Sequence, residues 1–160
     1  MKDYKESILS GIAAAKQAAI NKMEISSVLE ALSNQVQEIS QSKASFGIGD
    51  FQKEPINLIE RATMSVAEMM MASQGKKATY EALAIFNHKG RNGIEVAQWE
   101  KGANGYPCII KYNGSKFVCS NKSELENSLA ELIKEIKVGE AILEQMKIHD
   151  EQLDEGEEPA

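Results

Sequence analysis

Residues 78–120 read ATYEALAIFNHKGRNGIEVAQWEKGANGYPCIIKYNGSKFVCS, and this stretch decides the fold. Four runs within it are rich in residues that favour β-strands, and their pattern has a period of two. The separators between the runs are short and rich in glycine and asparagine. The last one, Asn113-Gly114, is the dipeptide most typical of a two-residue hairpin. The stretch therefore predicts a four-stranded antiparallel meander.

Helical patterns flank the meander on both sides. A second helix is predicted over residues 55–75, which begin with proline and end with glycine. A C-terminal helix is predicted to begin at Asn121, because Glu124 follows at the spacing of a capping pair. Residues 40–54 read as a linker whose two glycines permit at most a short edge strand over 45–48. Helices segregated from an antiparallel sheet predict an α+β fold.

Residues 1–43 are predicted to form an N-terminal helical arm. No glycine or proline interrupts the chain between Ile12 and Phe46, which favours one long helix over a pair that turns near residues 21–26. Two apolar stripes of different phase run along it, the first containing Ile8, Ile12, Ala15 and Ala19. A helix this long exceeds what a small body can cover, so the second stripe is predicted to form a homodimer. Its members are Ile25, Leu29, Leu32, Val36 and Ile39.

The charge divides the rest of the chain into an α+β body, residues 44–149, and a disordered acidic tail, residues 150–160. The whole chain has 24 acids, 18 bases and a formal net charge of −6. The tail holds six of the acids and no base, so residues 1–149 are neutral. A neutral body argues against a protein that mimics DNA, and it does not favour the hypothesis of a nucleic-acid-binding protein.

The cysteine content and the absence of leader patterns predict a cytoplasmic protein. No apolar run approaches the 18 residues of a membrane span, and no apolar segment follows the N-terminus as in a signal peptide. The hairpin at Asn113-Gly114 pairs Tyr112 with Ser115 and, further along, Cys108 with Cys119. That last pair falls on a hydrogen-bonded site where side chains diverge, so two buried, reduced thiols are favoured over a disulfide.

The candidate partner-binding site lies on the first hairpin of the meander. Its tip carries His88, Lys89 and Arg91, and Lys101 from the next turn is a further candidate member. Alternation along the following strand places Glu95 and Trp99 on one face, with Ile94, Val96 and Gln98 on the other. If the aliphatic set faces the helix, then Trp99 is exposed near Arg91, as in an interface hot spot.

No sequence motif of a catalytic, metal or cofactor site is present, and no cofactor is expected. The favoured function is a non-enzymatic protein-binding protein, an inhibitor of the immunity or antitoxin type. A dimeric chaperone, adaptor or assembly factor is the first alternative. The second alternative is a nucleic-acid-associated protein with an acidic regulatory tail.

Overall fold

The computed structural model describes residues 1–53, 65–67 and 78–156, and it confirms the α+β class. All neighbouring strands are antiparallel, in the order β1-β2-β3-β4-β5. The elements in chain order are α1 (Lys5–Ile39), β1 (Ala44–Gln52), β2 (Thr79–Asn87), β3 (Ile94–Gly102), β4 (Gly105–Tyr112), β5 (Ser115–Cys119), α2 (Lys122–Leu132) and α3 (Ile136–Gly156).

The predicted count of four strands is wrong, because the linker forms a nine-residue edge strand, β1. Its two glycines, Gly47 and Gly49, do not weaken it as expected, because the ring of Phe86 on the neighbouring strand lies over them. A methyl group built on Gly49 would come within 3.0 Å of that ring. The aromatic ring supplies the packing that the glycines lack.

The hairpin of β4 and β5 has the predicted register. Tyr112 pairs with Ser115 and Cys108 pairs with Cys119. Both cysteines are buried and free, as predicted. Two residues of the turn, Asn113 and Gly114, have the positive φ angles of 51° and 74° that this hairpin type requires.

Helix α1 is a single helix of 35 residues, as favoured from the sequence. Its second half packs on the sheet, and two serines tie it to β1. The Ser33 hydroxyl accepts a 3.4 Å hydrogen bond from the Phe46 amide, and the buried Ser40 hydroxyl accepts one of 3.0 Å from the Ala44 amide. These bonds satisfy amides on the open side of an edge strand.

The C-terminal region forms two helices rather than one. Asn121 caps α2 by accepting a 2.9 Å bond from the Glu124 amide, as predicted, and the chain then breaks after Leu132. Helix α3 continues to Gly156, so the prediction of a disordered tail is wrong for residues 150–156. Residues 66 and 67 are helical, and the rest of the predicted 55–75 helix lies outside the described residues.

One hydrophobic core joins the three helices to the sheet. Helix α1 packs on β1 and β4, α2 packs on β5, and α3 packs on β2 and β3. The core cluster includes Ile25 and Leu29 of α1, Leu125 of α2, and Val138 of α3. The sequence predicted that α1 would project from the body as an arm. Its second half instead covers part of the sheet and belongs to this core.

Candidate functional site

The tip between β2 and β3 is a tightly held loop. The side chain of Asn87 accepts hydrogen bonds from the amides of Lys89 and Arg91, at 2.9 and 3.0 Å. The buried Gln145 of α3 donates 3.0 and 2.7 Å bonds to the carbonyls of Ile85 and Asn92, on either side of the tip. The tip is therefore fixed against α3 while its charged side chains remain exposed.

A mixed cluster surrounds His88 at this tip. Its ring meets the ring of His149 edge to face, with centroids 4.7 Å apart. Next to it, Asp150 pairs with Lys43 at 2.8 Å. The hydrogen bond from Lys43 is the main reason why the pKa of the Asp150 carboxyl lies below its ordinary value. Lys89 and Arg91 have no acidic partner within the described residues.

The prediction that Trp99 is exposed is wrong, since it is only 2 % accessible. The cause is a β-bulge. Ala84 pairs with Glu95 while Leu83 pairs with Ala97, so one extra residue, Val96, interrupts the alternation. Beyond the bulge the phase is reversed, and Trp99 points into the core opposite Ile110. Its indole N–H is buried without an acceptor among the described residues.

Two other predicted members of the site also lie away from the tip. The carboxylate of Glu95 is half-buried and accepts a 2.8 Å bond from the Tyr80 hydroxyl. Lys101 lies at the opposite end of the sheet, where it pairs with Cys108, because successive hairpin turns alternate between the two ends. Only His88, Lys89 and Arg91 of the predicted site are brought together on the surface.

A basic cleft was missed in the sequence. It has a volume of about 450 Å³ and lies between the start of β3, the β4–β5 turn and the start of α3. Its charged lining is Glu95, Lys111, Lys116 and Lys137. Lys111 is paired with Glu100 at 3.2 Å, whereas Lys116 and Lys137 have no acidic partner within the described residues. The residues are far apart in sequence, so no local pattern signalled the cleft.

The stripe predicted for self-association is mostly turned inward. Ile25, Leu29 and Val36 are buried on this chain's own sheet, and Leu32 is half-buried against the same core. Only Ile39 is exposed. The reason is that the sheet extends under this half of α1, so the stripe already has a partner.

The first half of α1 is the part that projects. In this projecting segment, residues 1–23, every side chain is exposed except those of Ala18 and Asn21, which are half-buried. Asp3, which precedes the N-cap residue Tyr4, accepts a 3.0 Å bond from the Lys5 amide. The segment leaves the body where Asn21 donates a 3.1 Å bond to the carbonyl of Asn104.

Six aligned side chains of the segment form an exposed apolar row, here named the projecting stripe. Its members are Tyr4, Ile8, Ile12, Ala15, Ala19 and Met23. The four large side chains are 59 %, 59 %, 47 % and 72 % accessible, in chain order. At about 100° per residue, the stripe points roughly 100° away from the side of α1 that packs on the sheet. The change of phase between the two apolar stripes of the sequence indicates this difference in direction.

The described part of the chain offers no group of three or more His, Cys, Asp or Glu placed to hold a metal ion. In that same part, no helix is both long and apolar enough to cross a membrane. No protein-family model matches this chain, and no curated protein or solved structure matches it either.

Proposed function

We propose that this chain is a non-enzymatic protein-binding protein of the adaptor or assembly-factor class. The projecting segment is the element by which it attaches. The observation that carries the proposal is the exposure of the projecting stripe on a helix that adds nothing to the core over its first twenty residues. Contiguous exposed apolar rows mark protein-interaction surfaces in folded proteins.

The chemistry of the segment suits a helix that is covered by another protein. Ile8 and Ile12 are large, apolar and flanked by Leu9, which is also exposed. Burying one such side chain stabilises a complex by roughly 1.5–3 kcal/mol before ordering costs are counted. The location proposed with this function is the cytoplasm, and the two buried free thiols support it.

Site-specific photo-crosslinking in the native cell tests this function. A photo-reactive residue is placed at Ile12, on the stripe, and in a matched control at Ser10, on the far side of the same helix. Covalent adducts to protein are expected from position 12 and not from position 10. Equal labelling at the two positions, or none at either, would contradict the proposal.

An inhibitor of the immunity type is the second candidate, and the cationic end of the sheet favours it. Lys89 and Arg91 at the fixed tip and Lys116 and Lys137 in the cleft are four cations without acidic partners among the described residues. Such an end complements an acidic protein surface, because unpaired cations steer and orient acidic partners.

A poly-glutamate peptide and a DNA duplex of equal charge serve as probes of this second candidate. The peptide is expected to bind, and Lys89→Glu with Arg91→Glu should remove binding. Reversing an exposed charge elsewhere, Lys122→Glu on α2, is the control that should retain it. Preferential retention of the duplex would favour the nucleic-acid-associated alternative, and failure to bind either probe would contradict the inhibitor.

A further inference from the structure

We propose that the partner of the projecting stripe is a second copy of this chain, bound in antiparallel orientation about a two-fold axis between residues 13 and 14. The inference rests on the proposed function, because it names the partner of the same surface. The reason is that the stripe is complementary to itself when its direction is reversed.

The spacing of the stripe is the same in both directions. From Tyr4 to Met23, consecutive members are separated by four, four, three, four and four residues. An antiparallel copy therefore places every member opposite another member, with none left facing a polar side chain. An interface of this kind uses the same patch on both subunits, as closed two-fold dimers require.

The sizes of the side chains also match only in the antiparallel arrangement. Ile8 faces Ala19 of the second copy, and Ile12 faces Ala15, so each large side chain meets a small one. The outer pair brings Tyr4 against Met23, a favourable contact between an aromatic ring and a thioether. In a parallel pair, isoleucine would face isoleucine and alanine would face alanine, which crowds one layer and leaves space in the next.

Within the described residues, no part of the body covers this stripe. The stripe points roughly 100° away from the buried side of α1. The base of the segment is held by two hydrogen bonds, from Asn21 to the β3–β4 turn and to Glu24 from the start of β4. The helical part from Lys5 to Met23 is about 28 Å long. A contact confined to one helix of this length from each chain is small, so the dimer should dissociate on dilution.

Sedimentation over a concentration series measures the dimer with the full chain. Ile12→Glu places a charge beside the two-fold axis and is expected to weaken the dimer at least about 100-fold, because a buried carboxylate would lack a partner. Ser10→Glu adds the same charge on the opposite side of the helix and should leave the dimer unchanged. A wild-type chain that is monomeric at about 100 μM would overturn the inference, as would equal effects of both variants.

The orientation is tested by mixing variants that each carry one added cysteine, under mild oxidation. Chains with Ile8→Cys and chains with Ala19→Cys should form a mixed disulfide dimer, and each variant alone should crosslink far less. The native Cys108 and Cys119 are fully buried and do not interfere. Efficient crosslinking of the Ile8→Cys variant with itself would show a parallel dimer and would overturn the antiparallel arrangement.

The two proposals fail in different ways. If the photo-reactive group at Ile12 labels a different protein while the chain sediments as a monomer, the binding function stands and the homodimer is wrong. If it labels residues 54–77 of its own chain, the stripe is covered internally and both proposals are wrong. Labelling of a second copy supports both.

Discussion

The hydroxyl of Tyr106 donates a 2.7 Å hydrogen bond to the carboxylate of Glu24, at the point where α1 leaves the body. Burial, and then this carboxylate, raise the pKa of the Tyr106 hydroxyl, so the hydroxyl stays protonated and remains a donor through the physiological range. The bond joins the base of the projecting segment to the start of β4 and sets the direction in which the segment leaves.

The variant Tyr106→Phe should loosen the base of the projecting segment without unfolding the body. It removes one hydrogen bond to a charged acceptor, which contributes about 1 kcal/mol or somewhat more. Hydrogen exchange should show faster exchange of amides around residues 20–24, with little change in the sheet. The control is Tyr4→Phe, where the hydroxyl is exposed. Unchanged exchange in Tyr106→Phe would show that packing alone holds the base.

Replacement of Trp99 should affect stability and not partner binding. Trp99→Ala should destabilise the protein by roughly 3–5 kcal/mol, the usual cost of emptying a large aromatic site. Trp99→Phe should cost much less, because it also removes a buried N–H that has no acceptor among the described residues. Chemical denaturation measures both. Tryptophan emission in the native protein should be blue-shifted and resist iodide; a red-shifted, readily quenched signal would contradict the burial.

Gln145→Leu should release the tip of the first hairpin. The change removes two hydrogen bonds to the carbonyls of Ile85 and Asn92 in a buried site, so a loss of about 2 kcal/mol or more is expected. The amides of Lys89 and Arg91 should then exchange faster. Gln152→Leu, on an exposed position of the same helix, is the matched control. If both variants behave alike, the side chain of Gln145 does not fix the tip.

Alkaline pH should destabilise the protein through Cys108. Burial raises the pKa of its thiol from the ordinary 9.0 to about 11, with a smaller contribution from Cys119. The unfolded chain loses the proton first, so the stabilisation is complete below pH 9 and is lost as the pH rises towards 11. Urea midpoints measured from pH 8 to 10.5 should fall. The Cys108→Ala variant should be less stable at neutral pH, but its urea midpoint should fall less steeply with pH. If the midpoints of the two proteins fall equally steeply, this thiol is not the cause.

Two deletions within residues 150–160, the segment that the sequence predicted to be a disordered tail, should have different effects on thermal stability. Removing residues 157–160 should leave the thermal midpoint unchanged. Removing 150–160 also deletes the Asp150 carboxylate that pairs with Lys43, together with the last turns of α3. Exposed ion pairs contribute little, so a fall of less than about 5 °C is expected from the longer deletion. A larger fall would mean that the end of α3 is part of the folded core.

Local chemistry allowed some of this structure to be predicted, and distant packing prevented the rest. The pairing of Cys108 with Cys119 follows from a turn only a few residues away. The position of Trp99 could not be obtained in that way, because the bulge at Val96 depends on how β3 meets the neighbouring strand.

The surface of α1 shows the same division. The sequence contained both apolar stripes and the change of phase between them, so the long helix itself was predictable. Which stripe is covered depends on where the sheet lies beneath the helix. The strands of the sheet begin only a few residues after the helix in the sequence but end about eighty residues after it. For this reason Ile25, Leu29 and Val36, expected on an uncovered stripe, are buried on the sheet of their own chain.

The ring of Phe86 leaves no room for a side chain at two of the three glycine positions that it contacts. A Cβ atom at Gly93 would lie 2.7 Å from that ring, and one at Gly49 would lie 3.0 Å from it, while Gly47 is in ordinary contact. These sites should therefore vary together in evolution. A descendant that retains phenylalanine at position 86 should retain glycine at 49 and 93, whereas replacement by a small residue would remove the closest contact at each position and leave those of 3.2 Å to Phe51 and Ala84. That linked substitution pattern is a signature by which remote homologues could be recognised.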